Sequence, residues 1–92
     1  MIKIIGIIGL GYVGLPLAVE FAKKHKVIGF DINKDRIKTI ANGHDSNLEV
    51  DDDELKEVLG FKGEKGLELT SDKNSIKECN FFIVTVPTPV DK

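Results

Sequence analysis

The sequence predicts an α/β fold, a parallel sheet of about four strands flanked by helices, on three observations. Short runs of β-branched and aromatic residues alternate along the chain with segments whose apolar residues recur at helical spacing. The first and last of these runs are apolar on both faces, which is typical of strands covered by helices on each side. A glycine-rich turn joins the first run directly to the first helical segment.

The first half of the chain alternates strand, helix, strand and helix. Residues 2–8 form the first predicted strand, and the apolar face of the helix after it consists of Gly14, Leu17, Ala18, Phe21 and Ala22. A second strand over residues 27–31 ends in Asp31. Asn33 is placed to cap the next helix, which Asn42 and Gly43 end.

The second half continues this alternation. Residues 44–50 are predicted to form a loop, and residues 51–59 a helix whose first turn is acidic. A short strand over residues 67–70, a brief helix capped by Ser71 or Asp72, and a fourth strand from Phe81 to Val86 follow. Because crossovers between parallel strands are right-handed, this alternation predicts a parallel sheet. We expect the strand order 3-2-1-4, which is common in open sheets of this kind.

The composition excludes several classes of protein. Hydrophobic residues make up 41% and charged residues 30% of the 92 residues, which excludes a disordered chain. The net charge of −2 argues against a nucleic-acid partner. The stretch from Ile4 to Val19 has no charged residue, as a membrane span would. Glycines interrupt it, however, and it is shorter than the roughly 20 apolar residues that a span needs, so no membrane segment is predicted. The single cysteine, Cys79, fits a cytoplasmic compartment and is expected to be a small buried residue.

The turn after the first strand, from Gly9 to Gly14, has the pattern G-x-G-x-x-G that is typical of dinucleotide-binding turns. Gly9 would allow the tight bend, Gly11 would let a diphosphate approach the backbone, and Gly14 would let the helix pack closely on the sheet. The diphosphate would then meet N–H groups at the positive end of the helix dipole. The alternative is a turn that serves packing alone.

Asp31 ends the second strand about 20 residues after Gly9, where such proteins have the acid that binds the adenosine ribose. A carboxylate there accepts hydrogen bonds from ribose hydroxyls and repels a 2′-phosphate, so NAD is predicted in preference to NADP. Lys34 and Arg36 oppose this preference, because nearby cations attract such a phosphate. The alternatives are a helix-capping acid for Asp31 and a solvated position on the helix face for Arg36.

Thr88 lies between two prolines directly after the fourth strand. Ligands of open α/β sheets bind outside the carboxyl ends of the strands, where the strand order reverses. Thr88 is therefore a candidate cofactor contact, through its hydroxyl or its N–H. The alternative is a rigid turn that only ends the strand.

The residues of this chain do not predict catalysis or a metal site. His25 and His44 have no acidic or nucleophilic partner at a telling spacing. The acids from Asp51 to Glu54 are expected to favour the start of a helix. No catalytic residue is therefore assigned.

Three segments carry a family resemblance: GLGYVGLPLAVEFA from Gly9, VIGFDINKDRI from Val27 and FFIVTVPTPVD from Phe81. With them the whole chain resembles the N-terminal NAD-binding region of the UDP-glucose/GDP-mannose dehydrogenase family. The stretch from His44 to Val50 is similar to the branch that acts on UDP-N-acetylhexosamines, which includes the Vi-antigen type enzymes.

The resemblance implies a Rossmann-like but incomplete fold, because complete domains of this class have about six strands. Residues 1–92 would be a truncated NAD-binding domain with no second domain. The family oxidises the C6 hydroxyl of a nucleotide sugar to a carboxylate with two NAD, and its catalytic cysteine is expected beyond Lys92. The chain alone is therefore expected to bind the cofactor without catalysing the reaction. The UDP-sugar is expected to bind only to the full-length protein. The NAD contacts that carry over are Gly9, Gly11, Tyr12, Val13, Gly14, Asp31, Arg36 and Thr88.

Other functions use a similar turn and acid: a regulatory NAD-sensing domain of a transport system and an S-adenosylmethionine methyltransferase domain. A fragment that binds nothing is a third possibility. GYVGLP and the stretch from Thr85 to Pro89 favour the dehydrogenases, and a methyltransferase needs no glycine at Gly14.

Whatever the function, an unpaired apolar edge from Phe81 to Val86 is expected to cause self-association or reduced stability.

Overall fold

The structure, a computed structural model, describes residues 3–11, 13–45, 50–61, 63 and 65–85 of the chain. Every predicted strand and helix is present in this part, and the brief last helix is of the 3₁₀ type. In chain order the elements are β1 (Ile4–Ile8), α1 (Gly14–Ala22), β2 (Lys26–Phe30), α2 (Lys34–Ala41), α3 (Asp52–Gly60), β3 (Gly66–Thr70), the 3₁₀ helix (Lys73–Glu78) and β4 (Phe81–Val84).

The four strands described form one parallel sheet in the order β3-β2-β1-β4. Ile5 of β1 pairs with Val27 of β2 on one side and with Phe81 of β4 on the other, and Leu67 of β3 lies beside Val27. This arrangement confirms the predicted Rossmann-like α/β fold. Because all strands run the same way, their carboxyl ends meet at one edge of the sheet.

The hydrophobic core joins the sheet to α1 and α3. Ile5 and Ile7, at alternate positions of β1, point to the same face and are buried there. Leu55 and Val58 of α3 are fully buried in the same cluster. This packing holds β1 and the start of α1 in a fixed position, and the glycine turn lies between them.

The buried face of α1 is rotated from the predicted one. Leu17 and Phe21 are partly buried, whereas Leu15 and Val19 are almost completely buried. The small residues Gly14 and Ala18 let the helix lie close to the sheet, so the larger residues that follow them are covered as well.

Within the described residues, no helix has both the length and the apolar character needed to cross a membrane.

The starts of α2 and α3 agree with the prediction. The Asn33 side chain caps α2, where its Oδ1 accepts a hydrogen bond from the N–H of Arg36 at 3.1 Å. The first turn of α3 carries three acids, which are favourable at the positive end of a helix dipole. They are Asp52, Asp53 and Glu54.

β4 differs from the prediction of a strand covered on both faces. Phe81, Phe82 and Val84 are 53%, 51% and 63% exposed, and Ile83 is partly buried. The physical reason is position: β4 pairs with β1 and lies at the edge of the described sheet. The described strand ends at Val84, and Val86 lies outside the described residues.

Candidate functional site

The candidate site lies where the carboxyl ends of β1, β2 and β4 meet. The glycine turn leaves β1 there and leads into α1. Asp31 directly follows β2, and Thr85 directly follows β4. Parallel strand order therefore brings residues that are distant in sequence to one edge of the sheet, the edge at which open α/β sheets bind ligands.

Gly9 makes the bend out of β1 with a φ of 99°, in the left-handed region that glycine tolerates best. Its N–H donates to the carbonyl oxygen of Phe30 at 2.8 Å. Its own carbonyl oxygen lies 2.6 Å from the hydroxyl oxygen of Thr85, which donates to it. The turn is thus attached to the ends of both neighbouring strands.

Gly14 and Gly11 have opposite surroundings. A Cβ built on Gly14 would collide with the carbonyl oxygen of Gly9 and with Oγ1 of Thr85. A Cβ built on Gly11 would meet no heavy atom within 4 Å. Gly14 therefore serves the close contact between helix and turn, and Gly11 leaves its side of the turn open.

The Asp31 carboxylate is held against the turn. Its Oδ2 accepts a hydrogen bond from the N–H of Leu10 at 2.9 Å, and its Oδ1 accepts one from the N–H of Asn33 at 2.9 Å. The main-chain N–H of Asp31 donates to the carbonyl oxygen of Thr70 at 3.1 Å, which attaches it to the end of β3. The acid and the glycine turn thus form one hydrogen-bonded unit.

Arg36 is built into the same unit and does not lie on a solvated helix face. Its Nε donates to the carbonyl oxygen of Leu10 at 2.7 Å. Its Nη1 lies 3.0 Å from Oδ1 of Asp45, and the two side chains are 11% and 0% exposed. Oδ2 of Asp45 also accepts the N–H of Val50 at 3.2 Å. The solvated alternative for Arg36 is therefore wrong.

The start of α1 suits an anion. Val13 is the N-cap residue, and its hydrocarbon side chain does not cap the helix. The N–H of Leu15 donates to the carbonyl oxygen of Gly11 at 3.3 Å and Pro16 has no N–H, so Gly14 is the first-turn residue whose N–H can face a phosphate at the positive end of the helix dipole. Together with the open side of Gly11, this N–H fits a phosphate group of a dinucleotide.

Two of the predicted site residues, Tyr12 and Thr88, lie outside the described residues. The structure brings the other six together at one edge of the sheet: Gly9, Gly11, Val13, Gly14, Asp31 and Arg36. Whether each contacts a cofactor stays a prediction.

Sequence reasoning missed two residues of this unit, Asp45 and Thr85. Asp45 was one of 15 acids, in a stretch predicted as a loop, and no spacing distinguishes it. Thr85 gave a weak signal, since a hydroxyl residue at the end of an apolar strand is placed to bond a neighbouring turn.

His44 has an acidic partner that no telling spacing in the sequence marks, since its Nδ1 lies 3.1 Å from Oδ1 of Asp52. The loop after α2 returns to the start of α3, which brings the two together although eight positions separate them. Both side chains are about half exposed. No group of His, Cys, Asp or Glu in the described part of the chain could hold a metal ion.

Cys79 is buried, as predicted, and lies away from the glycine turn. A Cβ built on Gly6 of β1 would approach its Sγ to 3.0 Å. Burial raises the pKa of the Cys79 thiol, and the negative charge of Glu78 adds a smaller effect in the same direction. A thiol whose pKa is raised is a poor nucleophile at neutral pH, so Cys79 acts as a packing residue.

Comparison with known proteins agrees with this geometry. A profile of the UDP-glucose/GDP-mannose dehydrogenase family, NAD binding domain, matches residues 3–92. UDP-N-acetyl-D-glucosamine 6-dehydrogenase of Salmonella typhi is 56% identical over 87 residues, which are 95% of this chain and 19% of that protein. The protein of the same name from Pseudomonas aeruginosa is 53% identical over 88 residues, 96% of this chain and 19% of its own length.

Solved structures show the same fold. UDP-D-ManNAc dehydrogenase from Pyrococcus horikoshii has a TM-score of 0.84 and 39% identity, over 97% of this chain and 21% of that one. A GDP-mannose dehydrogenase from Pseudomonas aeruginosa, in a ternary complex, has a TM-score of 0.80 and 30% identity, over 96% of this chain and 20% of its own.

The chain spans about a fifth of the length of the curated relatives it matches. The names of the two bacterial relatives confirm the resemblance to the UDP-N-acetylhexosamine branch. The relatives and structures named above do not favour a transport-system sensor or a methyltransferase, and the family profile confirms NAD as the cofactor. The chain belongs to the UDP-glucose/GDP-mannose dehydrogenase family, as its NAD-binding domain.

Proposed function

We propose that the glycine turn and Asp31 form the place at which this domain binds NAD, with the diphosphate on the turn and the adenosine ribose on Asp31. One observation carries the proposal. Oδ2 of Asp31 accepts the N–H of Leu10 at 2.9 Å, which joins the acid to the turn at the carboxyl edge of the sheet. Both halves of a dinucleotide site are therefore in contact before any ligand binds.

The diphosphate would lie over Gly11, whose surroundings leave room for it, and face the N–H of Gly14 at the start of α1. Gly9 and Gly14 support this position from behind, since one makes the bend and the other brings the helix against it. Val13 is 64% exposed at the same place and would border the ligand. Tyr12 and Thr88 are included on the family resemblance.

The ribose would lie on Asp31. A carboxylate has about four acceptor positions on its two oxygens, and each oxygen of Asp31 accepts one main-chain N–H. Each oxygen therefore keeps acceptor capacity for a ribose hydroxyl. The main-chain hydrogen bonds hold the carboxylate in place, so little conformational freedom would be lost when the ribose binds.

The charge around Asp31 favours NAD over NADP. The sequence placed two cations nearby, and one of them, Arg36, forms an ion pair with the buried Asp45. Its positive charge is thus compensated within the protein. A 2′-phosphate would be repelled by the Asp31 carboxylate. Of the two cations, the exposed Lys34 is the one whose charge could still attract this phosphate.

The full-length protein is proposed to oxidise the C6 hydroxyl of a UDP-sugar to a carboxylate, on the names of the relatives and the family resemblance. Conversion of a primary alcohol to a carboxylate removes four electrons and adds one oxygen atom from water, so two NAD, each accepting a hydride, would be used. This chain would supply the cofactor position for that reaction and would not catalyse it alone. A cytoplasmic location is proposed, where a free thiol such as Cys79 stays reduced.

Calorimetric titration of the 92-residue chain with NAD and with ADP-ribose tests the site. We expect Asp31→Ala to weaken both affinities about tenfold or more, because hydrogen bonds to a charged group contribute about 1.5–3 kcal/mol each. ADP-ribose lacks only the nicotinamide, so an equal loss for both ligands would show that the lost contact is with the ADP-ribose part that they share.

Two variants serve as controls for this titration. Asp35→Ala removes an exposed acid from the first turn of α2 and should leave the affinity unchanged. Asp31→Asn keeps an amide oxygen for the N–H of Leu10 while it removes the charge, and it should bind more weakly than the unaltered chain. Equal affinity for NAD in Asp31→Ala and the unaltered chain would exclude Asp31 from the site.

A further inference from the structure

We propose that Asp45 is a positioning residue for the dinucleotide turn and acts through Arg36 on the main chain of Leu10 and Gly11. The inference rests on the proposed position of the NAD diphosphate. It assigns a role to an acid that lies outside the glycine pattern and would not itself contact the cofactor.

The first step is the burial of Asp45. Its side chain is 0% exposed, and it is the one charged residue that is fully buried in the part of the chain that the structure describes. A buried carboxylate is costly unless it is paired and hydrogen-bonded. Asp45 is both, since Nη1 of Arg36 lies 3.0 Å from Oδ1 and the N–H of Val50 donates to Oδ2 at 3.2 Å.

The second step leads from Asp45 to the turn. A guanidinium is planar and rigid, so a carboxylate that binds one of its nitrogens also sets the direction of the others. With Nη1 on Asp45, the Nε of Arg36 donates to the carbonyl oxygen of Leu10 at 2.7 Å. The short distance is typical of a charge-assisted hydrogen bond.

The third step follows from the geometry of the peptide bond. The carbonyl of Leu10 and the N–H of Gly11 belong to one planar, trans peptide unit, in which they point in opposite directions. By holding that carbonyl, Arg36 also fixes the direction of the Gly11 N–H. Gly11 is the position at which the turn is open, so this N–H is fixed at the place where the diphosphate would approach.

Asp31 completes the restraint from the other side. It accepts the N–H of Leu10, so the two main-chain polar groups of this residue are bound by side chains of opposite charge. The Leu10 side chain is fully buried as well. The turn is therefore held ready for its ligand, and Asp45 is the outermost member of the chain of contacts that holds it.

A double-mutant cycle on the 92-residue chain tests this role, with NAD affinity measured by calorimetry. We expect Asp45→Asn to weaken NAD binding about tenfold, because it removes the carboxylate charge that pairs with Arg36 and so weakens the hold of Arg36 on the Leu10 carbonyl. In an Arg36→Ala background the same change should have almost no effect. Asp35→Asn, the same substitution at an exposed position of α2, should leave affinity unchanged.

An NMR measurement without ligand supplies a readout that general loss of stability would not move. In Asp45→Asn the amide resonance of Gly11 and the Nε–H resonance of Arg36 should shift, while those of β3 stay in place. If that variant does not fold, Arg36→Lys tests the same link, because an ammonium lacks the rigid fork that reaches Asp45 and Leu10 together.

The outcomes separate this inference from the proposed function. Failure of the unaltered chain to bind NAD would overturn the proposed function, and the Gly11 resonance would still decide the role of Asp45. Normal binding by the unaltered chain with equal affinity in Asp45→Asn would overturn the inference. Additive losses in the double variant would overturn it too, because Asp45 would then act independently of Arg36.

Discussion

At the scale of single residues, the glycines of the turn have different tasks although they share one motif. A methyl group at Gly14 would collide with Gly9 and Thr85, whereas one at Gly11 would meet nothing within 4 Å. The motif therefore combines a packing position with a position left open on the proposed ligand side. Substitution at each can separate stability from binding.

A matched pair of alanine substitutions tests this division. Gly14→Ala should lower the free energy of unfolding by about 1–3 kcal/mol, because the obstructing Gly9 carbonyl is backbone and cannot rotate away. The gain of about 1 kcal/mol in helix propensity is smaller than that cost. Urea unfolding followed by circular dichroism measures the change.

Gly11→Ala, the other member of the pair, should change the free energy of unfolding by no more than about 0.5 kcal/mol. It should still weaken NAD binding about tenfold, since the methyl group would occupy the path of the diphosphate. Normal NAD affinity in Gly11→Ala, or a loss of stability equal to that of Gly14→Ala, would contradict the division of tasks.

Sequence predicts the residues of this site only where a local pattern marks them. Asp31 could be assigned because its distance from the glycine turn is set by one helix and one strand. Asp45 could not, because its contact with Arg36 depends on how the loop after α2 folds back. Thr85 could not be assigned either, because it is 76 positions from Gly9 in the sequence and contacts it only when β4 pairs with β1.

At the scale of elements, two kinds of contact attach α3 to the rest of the domain. Leu55 and Val58 are fully buried in the core. On the surface, Nζ of Lys23, just after α1, lies 2.5 Å from Glu54 and 3.0 Å from Glu20. These hydrogen bonds, first that to Glu54, raise the pKa of Lys23, so the lysine stays charged at physiological pH. Partly exposed ion pairs contribute little to stability, so we expect the apolar contacts to dominate.

Two substitutions compare these contacts. Leu55→Ala should lower the free energy of unfolding by about 2–5 kcal/mol, because it leaves a cavity in a fully buried position. Lys23→Met should cost clearly less, and its effect should shrink further in 1 M salt, where surface charges are screened over about 3 Å. Lys24→Met, the same change at the exposed neighbouring lysine, is the control for Lys23→Met. A cost for Lys23→Met that equals the cost of Leu55→Ala in high salt would contradict this ranking.

The bounds of the elements were predicted best where capping residues mark them. Asn33 caps α2 and the acids begin α3, since these effects act within one turn of the helix. The buried face of α1 was predicted less well. Apolar residues lie on more than one side of this helix, so the choice between Leu15 and Leu17 as the deeper residue depends on its distance from the sheet.

At the scale of the whole molecule, the strand order could be predicted because right-handed crossovers permit few arrangements. The unpaired edge of β4 was predicted as well, but the exposure of its side chains was not. Its four residues are all apolar, as in a strand covered by helices, and composition alone does not say whether anything covers its faces. The result is an edge strand with exposed Phe81, Phe82 and Val84.

This edge predicts that the 92-residue chain associates with itself, because an apolar strand edge offers unpaired N–H and C=O groups beside exposed side chains. The mass measured by sedimentation should rise with concentration between about 10 μM and 1 mM, the range in which exposed edges cause association. Val84→Lys should keep the chain monomeric, since a lysine on an edge opposes pairing. Ile32→Lys changes an exposed apolar residue away from β4 and should leave association intact. A single monomeric species at the highest concentration, before any substitution, would show that the edge does not pair.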